Sequence, residues 1–267
     1  MVRKYLEYRV VLACVCALLL SSSLATAVEE KPTETKDWKW NVAPFYLWAI
    51  SINGDTKMGS TGGELDVSFS DILDKLDGAF IINFQGMYKN KWGFMFDYNY
   101  ISLSDSGVIP THGVPPGAPP TLNASMDFRI DLAELSGYYR VDMETNYFDF
   151  KAGGRYTRLA PEILVGALYV DKSASWVDPL VGARWVWPFA ENWKLAIAGD
   201  VGGFGVGSDF TWQGLFRIDW QPWKNVALTA GYRAIYQDYE DGTRGTSDYF
   251  AMDATYHGPM FGIEFRW

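Results

Sequence analysis

Residues 259–267 read Pro-Met-Phe-Gly-Ile-Glu-Phe-Arg-Trp, in which Phe261, Ile263, Phe265 and Trp267 alternate with Met260, Gly262, Glu264 and Arg266. A period of two belongs to a β-strand, because successive side chains point to opposite faces of the pleat. One face of this segment is aromatic and aliphatic. The other carries two charges, so the two faces need different surroundings.

The same alternation recurs upstream. Ten segments predict strands: residues 38–50, 79–88, 92–103, 124–141, 147–158, 176–187, 193–202, 210–220, 226–239 and 249–267. In the first, Trp40, Val42, Pro44, Tyr46, Trp48 and Ile50 fall on one side, with Lys39, Asn41 and Ala43 on the other. In the third, Trp92, Phe94, Phe96, Tyr98 and Tyr100 oppose Asp97 and Asn99; in the fifth, Phe148, Phe150, Ala152 and Tyr156 oppose Asp149, Lys151 and Arg155. The fourth changes phase, from Met126, Phe128, Ile130 and Leu132 to Ala133, Leu135 and Tyr139, which predicts a bulge near Leu132. Gly258-Pro259 predicts a kink in the last.

The links alternate in length. Residues 89–91, 142–146, 188–192 and 221–225 are short turns, whereas the links between them are mostly long. Residues 51–78 hold Gly-rich turns and then Asp71-Ile72-Leu73-Asp74-Lys75-Leu76, where Ser70 or Asp71 would cap one helical turn; an ordered loop or partial plug is expected. The proline-rich residues 104–123 predict a long exposed loop, since proline cannot donate to a strand ladder. Residues 159–175 predict another excursion, with a hairpin over 163–170.

Composition narrows the class. Apolar residues make up 48% of the chain, with 12 Trp, 16 Tyr and 16 Phe. Even so, no apolar run after the first thirty residues reaches the roughly 18 needed for a transmembrane helix. Residues 1–27 combine Arg3, Lys4 and Arg9 with an apolar run and Ala25-Thr26-Ala27, the three-part form of a cleaved secretory signal peptide. Cleavage would remove both cysteines, Cys14 and Cys16, and with them any thiol chemistry. It would also remove three basic residues and one acidic one, taking the net charge from −9 to −11. An acidic chain without a basic run argues against nucleic acid as a partner. Residues 28–37 read as a flexible periplasmic lead, and 38–267 as one domain.

Long links at one end and short turns at the other, with both termini on the short side, predict an all-β fold: a single antiparallel up-and-down transmembrane barrel. About ten strands are expected, with eight or twelve left open by residues 51–78 and 159–175. Such a barrel is too narrow inside for ten rows of rings, so the aromatic faces are expected to meet lipid. A closed ladder then satisfies every backbone group where water is absent. Trp92, Trp187, Trp193, Trp220, Trp223 and Trp267 would form a girdle at the periplasmic rim. The polar faces point inward: Asp97, Asn99, Lys151, Arg155, Arg184, Asp200, Gln213, Arg217, Asp219, Arg233, Glu264 and Arg266. Their mixed signs predict ion pairs across a low-dielectric lumen.

A strand closing the chain on an aromatic residue resembles the last strand of bacterial outer-membrane barrels. Residues 200–210, Gly231-Tyr232-Arg233 and Asp238-Tyr239 are similar to uncharacterised proteobacterial surface barrels of the broad opacity-protein or OmpA-like type. The resemblance implies the outer membrane of a Gram-negative cell and no catalytic residue. It also implies that Phe261, Ile263, Phe265 and Trp267 serve as the signal read by the barrel-assembly machinery, with lipid and lipopolysaccharide as partners.

The expected role is structural or surface-interacting, with the lumen filled by its polar network. A narrow porin-like channel for small polar solutes or ions is the alternative, and an outer-membrane hydrolase a remote one. Of the two histidines, His112 sits in the proline-rich loop and His257 lies near Asp253 at the top of the last strand, and no neighbouring Ser or Asp pair copies the motifs of known outer-membrane hydrolases. Gly202 to Gly207 lacks the Lys-Ser/Thr and helix of a phosphate loop and reads as a tight outer turn. Asp66, Asp71, Asp74, Asp77, Glu240 and Asp241 read as loop-solvating charges, with bridging of divalent cations to lipopolysaccharide as the lesser option. The spacing over 71–77 does not match a calcium loop. No metal or cofactor ligand is assigned.

Overall fold

The computed structural model describes residues 37–59, 61–110, 121–166, 168–171 and 173–267. The expected signal peptide, nearly all of the expected lead, and His112 lie outside the described residues. Among the described residues there are thirteen strands: β1 (Trp38–Trp48), β2 (Ser51–Met58), β3 (Thr61–Val67), β4 (Leu76–Tyr88), β5 (Trp92–Pro110), β6 (Thr121–Asp142), β7 (Tyr147–Val165), β8 (Leu168–Asp171), β9 (Ala174–Ala190), β10 (Trp193–Gly203), β11 (Phe210–Trp223), β12 (Val226–Asp241) and β13 (Phe250–Arg266). A short helix, α1 (Phe69–Asp74), separates β3 from β4.

Ten of the strands close an antiparallel barrel in the order β1-β4-β5-β6-β7-β9-β10-β11-β12-β13, and β1 pairs with β13 to complete the circuit. β2 prolongs the first stave against β13, β3 folds back on β2, and β8 folds back on β7. The three longest staves, β5, β6 and β7, have 19, 22 and 19 residues. A membrane crossing needs only about 9–11, so these staves project well past any bilayer. At the other end the links are tight; Lys89 and Asn90, for example, turn the chain at positive φ.

The bulge expected near Leu132 is not there. The ladders of β6 run without a register shift on both sides, and Phe128, Ile130, Leu132, Glu134, Ser136, Tyr138 and Arg140 all point inward. What changes along this face is its chemistry and not its phase. The slip lies in β1 instead, between Val42 and Phe45 around Pro44. It sends Trp38, Trp40, Val42, Phe45 and Leu47 outward while Tyr46, Trp48 and Ile50 turn inward, which corrects the single face expected for them.

Gly258-Pro259 does not kink β13, whose inward parity is unbroken from Phe250 to Glu264. The interruption is transferred to the neighbouring stave: β1 stops at Trp48 and β2 starts at Ser51, opposite this dipeptide. A Cβ on Gly258 would lie 1.9 Å from the carbonyl oxygen of Ala49, so the close approach needs glycine.

The proline-rich link is shorter than expected. Ser104 to Pro110 pairs rung by rung with Thr121 to Asp127, leaving only residues 111–120 between the strands. Within 159–175, Ile163 pairs with Val170 as the expected hairpin requires, although β7 itself continues to Val165. Helix α1 is capped by Ser68, not by Ser70 or Asp71. Asp71 N–H donates to Ser68 Oγ at 3.3 Å and Ser68 N–H donates to the Asp71 carboxylate at 3.0 Å, a reciprocal capping box. These hydrogen bonds hold the Asp71 carboxyl below its ordinary range.

Candidate functional site

Outside, the lower part of the barrel carries a band of Leu135, Phe150, Val181, Ile197, Phe216 and Phe261, each 45% to 57% exposed. Phe261, Ile263 and Phe265 of the closing strand lie on this face, and Trp267 ends it 52% exposed at the short-turn end. Trp92, Trp187, Trp193, Trp220 and Trp223 ring the same end, with Trp193 stacked on Trp220 at 5.7 Å. Higher up, β6 and β7 reverse this pattern. Their outward positions become Asp127, Arg129, Asp131, Arg158 and Glu162, while Phe128, Ile130 and Leu159 face in.

The inward side is therefore built in two stages. In the lower and middle lumen, Lys151 Nζ lies 2.7 Å from both Glu134 Oε1 and Asp200 Oδ2. Arg155 Nη2 lies 2.9 Å from Glu134 Oε2 and 2.7 Å from Asp200 Oδ1. These four charges alternate in sign around a closed ring, and Arg155 is only 1% exposed. Buried ions persist only when each is matched and hydrogen-bonded, and the ring achieves that with residues of β6, β7 and β10.

From the ring a chain of bonds crosses the lumen. Gln213 donates to Asp200 at 2.9 Å, Arg233 donates to Gln213 at 2.8 Å and to Asp97 at 2.8 Å, and Asn99 donates to Asp97 at 2.6 Å. β12 and β5, which carry Arg233 and Asp97, stand on opposite walls in the strand order. A second crossing runs from Arg184 to Gln85 at 3.0 Å, with Asp149 held between Arg184 and Arg140. Near the short turns, Asp219 and Glu264 are paired with Arg217 and Arg266.

Every charged residue assigned to the lumen from sequence thus faces inward and takes part in an ion pair. Sequence reasoning missed Glu134, Arg140 and Gln85, and left Asp149 out of the lumen set. Glu134 and Arg140 were hidden by the supposed phase slip in β6. Asp149 had a readable signal, since it alternates with Phe148 and Phe150 beside Lys151.

The void left among the crossing side chains is about 80 Å³, bounded by Asp97, Glu134, Lys151, Arg184 and Arg233. Below it, a vestibule of about 500 Å³ opens among Lys39, Arg140, Lys194, Arg217, Lys224 and Arg266. Above it the lumen is apolar: Ile52, Leu103, Phe128, Leu159, Phe250 and Met252 help enclose a chamber of about 270 Å³. Helix α1 packs at this upper end with Ile72 buried, and its last turn is tied to β5 where Ser104 N–H donates to the Lys75 carbonyl at 2.9 Å.

Outside the lumen, Asp66, Asp71 and Glu240 have local protein partners. Asn53 donates to Asp66 at 2.9 Å, Asp71 belongs to the helix cap, and Glu240 pairs with Arg244. His257 stands on the outer wall, 2.7 Å from both Tyr232 Oη and Asn53 Oδ1. Gly203 to Asp209 form the turn joining β10 to β11, pinned where Ser208 N–H and Oγ–H donate to buried Asp178 at 2.6 and 2.8 Å.

No family model matches the chain, and no curated protein matches it in sequence. Among solved structures it is similar to the outer-membrane protease OmpT of Escherichia coli, at 6% identity, covering 90% of this chain and 100% of that one with a TM-score of 0.51. Looser likenesses include the translocator domain of the autotransporter NalP of Neisseria meningitidis (12% identity, 99% and 98% coverage, TM-score 0.41). Another is the attachment invasion locus protein Ail of Yersinia pestis (11%, 86% and 99%, TM-score 0.35). At these identities the likeness concerns the fold, which is that of an outer-membrane β-barrel.

Proposed function

We propose that the protein is a sealed barrel of the Gram-negative outer membrane whose role is structural and surface-interacting. The single observation that carries this reading is the bridge from Arg233 to Asp97 joined through Gln213 and Asp200 to the Lys151–Glu134–Arg155 ring. It links opposite walls with fixed, matched charges, and only about 80 Å³ remains among them. A conducting pore needs a continuous wet path, and this belt supports closure instead.

In this reading the aromatic band takes lipid, and the short turns and both termini face the periplasm. The long staves β5, β6 and β7 stand above the membrane as a rigid platform for surface contacts with lipopolysaccharide or an extracellular ligand. The outward face of β13 from Phe261 to Trp267 is the part offered to the assembly machinery. Non-enzymatic function is part of the same proposal. Planar-bilayer recording of the purified barrel tests it: a silent membrane is the expected result, and stable unit conductance steps would replace it with the narrow-channel reading.

A further inference from the structure

The chamber above the charged belt has no part in closing the lumen, and its chemistry points elsewhere. Its wall is drawn from β2, β3, β5, β6, β7 and β13, and most of its lining is apolar, including Leu103, Phe128, Leu159, Phe250 and Met252. In an antiparallel membrane barrel the inward row is ordinarily polar. Here five staves switch that row to aliphatic and aromatic residues over the same height, and the enclosed space is still about 270 Å³. An apolar cavity of about 150 Å³ accommodates benzene, so by proportion this one suits roughly ten carbon atoms.

The charged groups of the lining sit at the rim, and the buried Tyr256 hydroxyl is taken up by Met252 Sδ, to which it donates at 3.2 Å. Lys75 Nζ lies 2.9 Å from Asp105 Oδ2, with both side chains about half exposed. That pair is already neutral, so the mouth offers no net charge to select a carboxylate or phosphate. Below, the floor of buried Ile101, Ile130 and Leu132 separates the chamber from the belt. We propose that the chamber is a binding site for a neutral apolar molecule of about ten carbons, such as a medium-length alkane chain. This inference uses the barrel fold alone, so a conductance result that overturned the sealed-lumen reading would leave it standing.

Photolabelling of the barrel in lipid nanodiscs with a decyl diazirine, with adducts located by mass spectrometry, provides the test. Adducts are expected on inward-facing Leu103, Phe128 and Met252, and decane should displace them. Competition by n-alkanes, referred to free aqueous concentration, should strengthen roughly fourfold per added methylene up to about ten carbons and then level off. Partition into lipid alone would keep rising with chain length. Adducts confined to the outward face at Phe94, Leu135 and Phe216, or inward adducts that no alkane displaces, would overturn the site. Stronger competition by decanoate than by decane would overturn its neutral ligand class. Ile163→Trp or Met252→Phe, each enlarging a lining side chain, should remove the inward adducts while the outward adducts and the heat-modifiable gel mobility persist. Retained inward labelling in both folded variants would also overturn it.

Discussion

Leu132 and Glu134 stand next to each other on the inward face of β6, 3% and 8% exposed, and the lumen changes from apolar to charged between them. Glu134 is the harder of the two to replace, because it neutralises Lys151 and Arg155 together. Glu134→Leu would leave two buried cations sharing Asp200. Breaking a buried ion pair from one side costs about 3–5 kcal/mol. A drop of that size in unfolding free energy, from urea titration of the barrel in detergent, is the expected outcome.

This pair of residues also explains where the sequence was legible and where it misled. Alternation alone located all ten staves of the barrel, because a wall with lipid on one side and ion pairs on the other repeats every two residues. Alternation misleads where the polar and apolar faces exchange sides. Above Leu132 the outside of β6 is polar and the inside apolar, so an unbroken strand looks like one that has slipped by a residue. The real slip at Pro44 in β1 was masked for the same reason, since Tyr46, Trp48 and Ile50 are as apolar as the outward residues before them. Length was underestimated wherever a strand left the membrane, as in β5 beyond Leu103. The transverse partners could not be read at all, because Arg233 and Asp97 are 136 positions apart and only closure of the barrel brings them together.

That transverse contact predicts how the barrel could be opened. Truncating Arg233 and Asp97 together to alanine removes a matched pair, so no uncompensated charge is created by the loss of one partner alone. The space they vacate adjoins the small central void and, below it, the basic vestibule. Unit conductance steps are expected from the double variant in planar bilayers under conditions where the parent barrel is silent. Silence from a correctly folded double variant would locate closure in the Lys151–Glu134–Arg155–Asp200 ring or in the apolar floor of Ile101, Ile130 and Leu132 above it.

The cap of α1 is sensitive to acid in a defined direction. Asp71 has its folded-state titration lowered by the hydrogen bonds from Ser68. A lowered carboxyl contributes stability that is complete above the unfolded value, about 3.9 for aspartate, and is lost as pH falls through the folded value. Hydrogen exchange at the amides of Ile72 to Lys75 should therefore be steady near neutrality after correction for intrinsic rates, and accelerate in strong acid. Asp71→Asn should show faster exchange at neutral pH and lose most of the acid response.

Glycine at position 258 is demanded by packing and not by turn geometry. Its added Cβ would meet the Ala49 carbonyl at 1.9 Å, whereas at Gly137 the nearest contact is the Gly93 carbonyl at 3.9 Å. Gly258→Ala must push the first stave away from β13 and should cost about 1–3 kcal/mol, the range for overpacking. Gly137→Ala should be close to neutral. Thermal loss of the compact gel form compares the two directly.

The exchange of solvents along the wall makes a final prediction about depth. Leu135 faces outward within the apolar band at 57% exposure, while Ser106 faces outward on the projecting part of β5. An arginine at the bilayer midplane of a barrel costs about 2–4 kcal/mol, and the penalty fades toward the interface. Leu135→Arg should therefore lower the stability of the barrel refolded into phospholipid vesicles by about that amount. Ser106→Arg, exposed to water, should change it by less than about 0.5 kcal/mol. Equal penalties at the two positions would mean that the upper wall is also lipid-covered, and its polar outward row on β6 and β7 would then need another explanation.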